Sequence, residues 1–376
     1  MRKRLLISAL MLVAALVTGC RIEPPLYLRT PVQSVVSVEA DVNVNLMWQI
    51  DWNVQWTFRW DAEVMGPVGY KEEIEGMSLH IYPHDDKGAH MSHTVKHFVG
   101  QATDIPFIVG TYDLLFHNDD SEVLLYRQDD KTDDIYCYTR VISSGLKNSD
   151  PVKTLQQKMM GTKAPGKAPE NEPVTYMPDD LFSLYDKGRR ITDNLDDYIY
   201  VDGKYVLLIQ GELTPASYIH LVQVNLKNNG GRIIGSGGAV LTGVADGVNL
   251  MTKTGANNTV SIPTEVSVDE DKDMLGMRFC SFGIPGCNPY EQSSVTQSVS
   301  EHCLVLNVLY ANSSYKNISV DLTEQFRALP LGGVIVIDLD VNDFPPGSGE
   351  GGGGGFDALI TGWDDVTAGA TITITG

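Results

Sequence analysis

Apolar and polar residues alternate strictly from Val36 to Trp60. The even positions carry Val, Ala, Leu, Ile, Phe and Trp, whereas the odd positions, apart from Met47, are polar or charged. A helix would spread the even positions around its whole circumference, but a strand places them all on one face. The pattern therefore predicts β-structure. Because its 25 residues far exceed a usual strand, we expect two strands joined by a bulge or bend near Asn43 to Asn45.

Four of the five tryptophans lie in this segment: Trp48, Trp52, Trp56 and Trp60. Their spacing of four follows from the period of two, with Trp at every second inward position. They share a face with Val, Leu, Ile and Phe, which is the composition of a core. We interpret them as sealing the core of a first domain. The alternative is an exposed aromatic platform that stacks on sugar rings.

Short alternating or apolar segments, separated by Gly, Pro, Asn and Asp, continue through the rest of the chain. Their spacing predicts an all-β protein of the sandwich type. Helical signals are sparse, and the best are TLQQKMMG (154–161) and LTEQFRAL (322–329). Residues 145–175 are rich in Lys, Pro and Gly without an apolar period, which predicts a loop or linker.

The first residues predict export from the cytoplasm. Three basic residues precede the apolar run Leu5 to Val17, which is too short for a permanent membrane span but typical of a secretory signal. The run leads into Val-Thr-Gly-Cys, which resembles a bacterial lipobox. We therefore predict cleavage before Cys20 and acylation of Cys20; two or more acyl chains give stable anchoring. The alternative is an ordinary signal followed by a Cys by chance.

These patterns divide the chain into six predicted segments. They are a signal peptide (1–19), a lipidated tether (20–34), an N-terminal β-sandwich (35–145), a linker or insert (146–200), a C-terminal β-sandwich (201–344) and a Gly-rich tether with a terminal strand (345–376). The last strand has Ala370, Ile372 and Ile374 on one face. On a Gly-rich tether it is free to pair with its own domain or with another molecule.

Four cysteines follow Cys20, in an export route that permits disulfides. Cys280 and Cys287 flank a Gly- and Pro-containing stretch, CSFGIPGC, that could turn the chain and bring them together. They are the candidate pair, although four cysteines allow three connectivities. The spacing does not match paired CxxC zinc knuckles.

Composition and motifs favour no catalytic chemistry. A net charge of −20 makes nucleic-acid binding improbable. Five histidines lie between His80 and His97, and a metal site around His93 and His97 is one reading; a solvated hairpin is the preferred one. DEDKDMLG has Met274 where a calcium loop needs Gly. We predict a non-enzymatic protein with no catalytic residues, no cofactor and no metal.

The order of several motifs resembles the fimbrillin-like lipoproteins of type V pili. They are the lipobox, the alternating strand, MSLHIYPHDDKG, GTYDLLFHND, AVLTGVADGVNL and a Gly-rich stretch before the final ITI. The resemblance implies two tandem transthyretin-like, Greek-key sandwiches on the bacterial outer membrane, lipid-anchored and exposed at the cell surface. It implies pilus subunits as partners through β-strand addition, and a contribution to adhesion to a host or microbial surface ligand. The alternative is a glycan-binding outer-membrane surface lipoprotein that uses exposed aromatic residues.

Shaft subunits of this family are cut after an Arg or Lys, which makes Arg29 and Arg59 the candidate processing sites. A cut after Arg29 would release the lipid and leave the long strand, whereas a cut after Arg59 would remove that strand. Because Arg59 lies within the predicted strand, we expect poor protease access there. An anchor, tip or accessory role is therefore at least as well supported as a shaft role.

Overall fold

The computed structural model describes residues 37–42, 57–71, 73–99, 105, 107–128, 134–142, 172–192, 194–201, 204–269, 273–346 and 371–373. The strands are β1 Ser37–Val42, β2 Gly76–Pro83, β3 Thr94–Val99, β4 Gly110–Asn118, β5 Leu124–Gln128, β6 Ile135–Thr139, β7 Phe182–Ile191, β8 Ile199–Val201, β9 Lys204–Gly211, β10 Thr214–Pro215, β11 Tyr218–Lys227, β12 Ile233–Ala245, β13 Gly247–Asn249, β14 Thr259–Thr264, β15 Ser267–Asp269, β16 Met274–Ser281, β17 Cys303–Tyr310, β18 Tyr315–Asp321, β19 Gly333–Asp340 and β20 Thr371–Thr373. The helices are α1 Ala62–Met65, α2 Gln292–Thr296 and α3 Thr323–Ala328, with 3-10 turns at Leu195–Asp197 and Val341–Asp343. The predicted all-β class is confirmed.

The C-terminal half is a sandwich of two sheets. Their strand orders are β15-β16-β11-β19-β20 and β14-β12-β17-β18. The alternation along β11 explains the packing, since Val222, Val224 and Leu226 face the core between the sheets. The residues that alternate with them, including Ile219 and Leu221, face the opposite side of the sheet.

The N-terminal half is built on the sheet β10-β7-β4-β2-β3. Its apolar face includes Leu79, Leu114 and Phe116. The same core contains Ile209 of β9, so the small sheet β1-β9-β8 covers this face. The β-sandwich arrangement predicted for the fold is thus confirmed.

A fifth sheet, β13-β6-β5, connects the two halves. Its strand β13 follows β12 in the C-terminal half, yet it pairs antiparallel with β6 from the N-terminal half. A shared core beneath it contains Leu115, Cys137 and Leu181 together with Ala245 and Phe282.

Part of the predicted linker, residues 146–200, is in fact core structure. Strand β7 lies in this range and pairs along β4 in the middle of the N-terminal sheet. Strand β9 lies in the predicted C-terminal sandwich but belongs to the N-terminal core through Ile209. The N-terminal half therefore includes strands that lie after residue 200 in the sequence. The Lys-, Pro- and Gly-rich stretch up to residue 171 lies outside the described residues.

The prediction of two strands between Val36 and Trp60 is wrong at its C-terminal end. β1 is a strand, and residues 43–56 lie outside the described residues, but Thr57 to Asp61 are not a strand and α1 follows them. The helix predicted over LTEQFRAL is confirmed as α3, whereas TLQQKMMG lies outside the described residues. None of the described helices is long and apolar enough to cross a membrane.

Candidate strand-exchange and processing sites

The last described strand, β20, adds to the edge of the C-terminal sandwich. It pairs antiparallel with β19 at three positions: Val336 with Thr373, Ile337 with Ile372, and Asp338 with Thr371. On its other side β19 pairs in parallel with β11 along all eight of its residues, from Gly333 to Asp340. Within the described residues, the outer edge of β19 is therefore covered over less than half of its length.

Side chains on both faces of β19 stabilise its position next to β11. Ile335 and Ile337 are buried in the sandwich core. On the opposite face, Asp338 forms an ion pair of 2.8 Å with Lys227 and accepts a hydrogen bond of 2.8 Å from Asn225. These hydrogen bonds lower the pKa of the Asp338 carboxyl. These contacts hold β19 in place independently of β20.

The first described strand, β1, is also an edge strand. It pairs in parallel with β9, from Ser37 opposite Val206 to Val42 opposite Gly211, and has no second neighbour in its sheet among the described strands. A parallel pair cannot be closed by a tight hairpin. Both ends of the described chain therefore finish as single strands added to the edge of a sheet.

Arg59 lies in an irregular segment next to a buried anchor. Its side chain is exposed, whereas Phe58 is 4% exposed and packs over Gly276 of β16, where an added Cβ would lie 2.5 Å from the Phe58 ring. The Phe58 N–H donates to Oε1 of Gln223 at 3.1 Å. Arg59 therefore does not lie within a strand, which was the reason for expecting poor protease access there. What restrains the chain here is the docking of Phe58 on the outer face of the C-terminal sheet.

Trp60 is the one member of the tryptophan series within the described residues; Trp48, Trp52 and Trp56 lie outside them. Its side chain is half-buried, and its Nε1 donates a hydrogen bond of 2.8 Å to the carbonyl of Gly66. The ring also contacts Phe58 edge-on, with centroids 6.5 Å apart. Trp60 thus helps to pack the segment rather than forming an open stacking surface.

The predicted disulfide between Cys280 and Cys287 is not formed. Cys137, Cys280, Cys287 and Cys303 are all free and buried. The reason is that the two candidate thiols belong to different clusters. Cys280 packs with Ile219 on the outer face of the C-terminal sheet, whereas Cys287 packs with Ile284 and Val295 beside α2. The predicted lipidation site Cys20 and the processing site Arg29 lie outside the described residues.

A family model described as a domain of unknown function, DUF5119, matches residues 53–265, which is more than half of the chain. The chain belongs to the DUF5119 family. No curated protein matches it.

Solved structures similar to this DUF5119 chain include proteins from Bacteroides and Porphyromonas species. A "putative adhesin" from Bacteroides ovatus is 15% identical, with a TM-score of 0.49 over 83% of this chain and 90% of the other. The fimbrial anchor protein Mfa2 from Porphyromonas gingivalis is 11% identical, with a TM-score of 0.38 over 72% and 84%. Its tip fimbrial protein Mfa3, with a C-terminal truncation, is 7% identical, with a TM-score of 0.31 over 80% and 94%. Two of these neighbours are thus described as fimbrial proteins and one as a putative adhesin.

The histidines of the DUF5119 chain form more contacts than a solvated hairpin would. Nδ1 of His80 lies 2.8 Å from Nε2 of His93, and its Nε2 lies 2.9 Å from Nε2 of His117. Burial, together with the neighbouring His117 and His93, lowers the pKa of His80 to about 3; burial lowers that of His117 to about 4. His97 points elsewhere and lies 2.7 Å from Ser78 Oγ. The sequence pattern found the hairpin but not these contacts, because His117 comes from β4, far along the chain.

Proposed function

We propose that this DUF5119 chain is a non-enzymatic cell-surface lipoprotein of fimbrial type, acting as an anchor, tip or accessory subunit. It would assemble with other pilus subunits by β-strand addition and contribute to adhesion. The observation that carries the proposal is the addition of β20 to the partly covered edge of β19. Lipidation at Cys20 would hold the protein at the outer membrane.

The pairing of β20 with β19 suits exchange because it consists of backbone pairs. Three backbone pairs join it to β19, and any strand with the same alternation can form the same hydrogen bonds. A chain that exchanges its own β20 for that of a neighbour makes equivalent contacts, so the difference in free energy between the two arrangements is small. The Gly-rich composition of Pro345 to Gly355 predicts a linker that allows β20 to reach another molecule.

Deletion of residues 347–376 tests this proposal. The described core of the C-terminal sandwich ends at Phe344, so the shortened chain should fold while losing its ability to assemble. The measurement is co-purification of tagged and untagged chains, together with the ladder of oligomers on gels. Ile372→Pro, which removes a backbone donor and disfavours the ladder, should act like the deletion, whereas Ile372→Val should behave as the wild type. Unchanged co-purification by the deleted chain would refute strand donation.

Mass spectrometry of the mature protein from cells tests the anchoring and the subunit type. An acylated N-terminal Cys20 supports an anchored subunit. A chain that starts after Arg29 has lost its lipid but keeps β1. A chain that starts after Arg59 has lost β1 and Phe58, and would identify a polymerising subunit instead.

A further inference from the structure

The turn between β2 and β3 holds two histidines side by side. His84 and His90 face each other across an isolated antiparallel bridge, and their ring centroids are 5.3 Å apart. The turn between them is closed by Asp85, whose Oδ1 accepts the N–H groups of Lys87 at 2.9 Å and Ala89 at 2.8 Å. The positions of the two imidazoles are therefore fixed by backbone pairing and by a hydrogen-bonded turn.

A buried carboxylate from β4 lies against both rings. Oδ1 of Asp113 is 3.0 Å from Nε2 of His84, and its Oδ2 is 3.1 Å from Nε2 of His90. One ligand atom from each of the three residues lies within 4.8 Å of the others. The Asp113 side chain is 3% exposed, whereas those of His84 and His90 are 13% and 21% exposed. Asp113 is therefore buried, whereas the two histidines are partly accessible to solvent.

We propose that His84, His90 and Asp113 form a binding site for a divalent transition-metal ion, with Zn²⁺ as the preferred ion. Two imidazoles and one carboxylate are ligands that zinc accepts, with bonds of about 2.0–2.2 Å. Such bonds in a tetrahedral arrangement separate neighbouring ligand atoms by about 3.3 Å, close to the separations between Asp113 and each histidine. Calcium and magnesium prefer sets of oxygen ligands, so this group discriminates against them.

The surroundings orient the three ligands before any ion arrives. Asp113 accepts a hydrogen bond of 2.5 Å from the Tyr185 hydroxyl and one of 2.7 Å from the N–H of Gly188. Gly188 has a φ of +71° and lies at an irregularity in the register between β4 and β7, which brings its N–H to the carboxylate. The Tyr82 ring stacks on His90, with centroids 4.9 Å apart. Groups that hydrogen-bond to a ligand in this way fix its orientation and raise the affinity of metal sites.

An ordinary ion-pair cluster does not account for His84. Its Nε2 is buried and forms no hydrogen bond within the described part of the chain, although Oδ1 of Asp113 is only 3.0 Å away. A ring nitrogen next to a carboxylate, but unsuitably directed for a hydrogen bond, is suited to share an ion with it. Three protein ligands leave one tetrahedral position, which water or a side chain of a neighbouring molecule can fill.

Titration calorimetry of the full chain with Zn²⁺ tests the site. We expect one Zn²⁺ ion to bind per chain. When Co²⁺ is used as a probe, the complex should show the visible absorption of tetrahedral Co²⁺. Ca²⁺ should not compete with Zn²⁺ for the site. Loss of a group that hydrogen-bonds to a ligand costs about 10–100-fold in metal affinity, so Tyr185→Phe should weaken Zn²⁺ binding by that factor. His84→Ala and His90→Gln each remove a ligand and should weaken binding by at least about 100-fold. His90 is partly exposed, so His90→Gln keeps the test valid should His84→Ala fail to fold.

Two control variants distinguish this site from the other histidines. His97→Ala removes an exposed imidazole from the neighbouring strand β3, and His117→Gln alters the buried chain of His80 and His93. Both should retain Zn²⁺ affinity within about threefold of the wild type. The proposal is overturned if no stoichiometric binding occurs, if His84→Ala and His90→Gln bind as the wild type does, or if either control loses affinity as strongly as they do. None of these outcomes depends on whether the chain assembles into fimbriae.

Discussion

At the scale of single residues, the contact between Phe58 and Gly276 holds the segment that carries Arg59. An added Cβ at Gly276 would lie 2.5–2.8 Å from three atoms of the Phe58 ring. We predict that Gly276→Ala destabilises the docked segment by about 1–3 kcal/mol, as overpacking usually does. The measurement is the rate at which trypsin cleaves native protein after Arg59, which should rise because the segment detaches more often.

A double-mutant cycle supplies the control for this contact. In a Phe58→Ala background the added methyl group meets no ring, so Gly276→Ala should change the cleavage rate little. Equal effects of Gly276→Ala in the two backgrounds would show that the Phe58 ring is not what Gly276 accommodates.

Two buried histidines predict a loss of stability in acid. His220 and His302 both stack on Phe326, with ring centroids 4.2 Å and 4.8 Å from that of the Phe326 ring. Burial lowers the pKa of His220 to about 4, and burial together with the nearby His220 lowers that of His302 to about 4. Because the unfolded histidines titrate near pH 6.5, the unfolded state binds more protons below that pH. The stability these residues contribute is complete above about pH 6.5 and is lost as the pH falls towards about 4.

Each of the two histidines should therefore lower the free energy of unfolding by about 2 kcal/mol when the pH falls from 7 to 5. Urea unfolding at the two pH values measures this loss. The variant His220→Gln/His302→Gln, compared at the same pH values, should show a pH dependence smaller by about 4 kcal/mol. A double variant with the slope of the wild type would contradict the assignment.

The four described cysteines should be inert thiols. All are buried and free, and burial raises the pKa of the Cys280 thiol to about 12 and that of Cys303 to about 12. Since thiolates are the reactive form, we predict no labelling of these cysteines by iodoacetamide in the native protein. All four should be labelled after denaturation without reductant. A peptide pair linked through Cys280 and Cys287 in non-reduced digests would contradict this.

At the scale of elements, the sequence predicts secondary structure correctly where the local residue pattern alone determines it. MSLHIYP became β2, and the helical pattern of LTEQFRAL became α3. The alternation up to Trp60 did not extend β-structure to that residue, because Phe58 packs on the outer face of another sheet instead of joining a ladder. Strand β7 lies within the predicted linker; its sequence, FSLYDKGRRI, has a weak apolar pattern, and its pairing with β4 places it in the N-terminal sheet.

The candidate sites were predictable only where they depend on local sequence. The Gly-rich stretch and the alternating terminal residues identified β20, but its partner β19 follows from the sheet topology. The same holds for the histidines. The turn that places His84 opposite His90 is visible in HDDKG, whereas Asp113 comes from a strand about thirty residues later. Ligands brought together by long-range pairing leave no signal in the spacing of one segment.

At the scale of the whole molecule, the two halves are joined by more than a linker. β13 pairs with β6, and the core around Leu115 and Phe282 contains residues from both halves. The segment around Tyr70 adds a further connection, since its hydroxyl donates to the Ser217 carbonyl at 2.8 Å. β1 and β20, the first and last described strands, each lie at the edge of a sheet, so we expect them to exchange more readily than strands that pair on both sides.

The most direct test of strand addition uses the register between β19 and β20. Asp338 is opposite Thr371, and antiparallel partners have Cα separations of about 4.5–5.5 Å, which a disulfide can bridge. Two chains that begin at Arg21, one with Asp338→Cys and one with Thr371→Cys, are mixed and oxidised. The account predicts a covalent dimer that contains one copy of each, and no such dimer when Asn225→Cys on β11 replaces Asp338→Cys. If the mixed chains stay monomeric while a single chain with both substitutions forms an internal disulfide, β20 remains with its own sandwich and the account is contradicted.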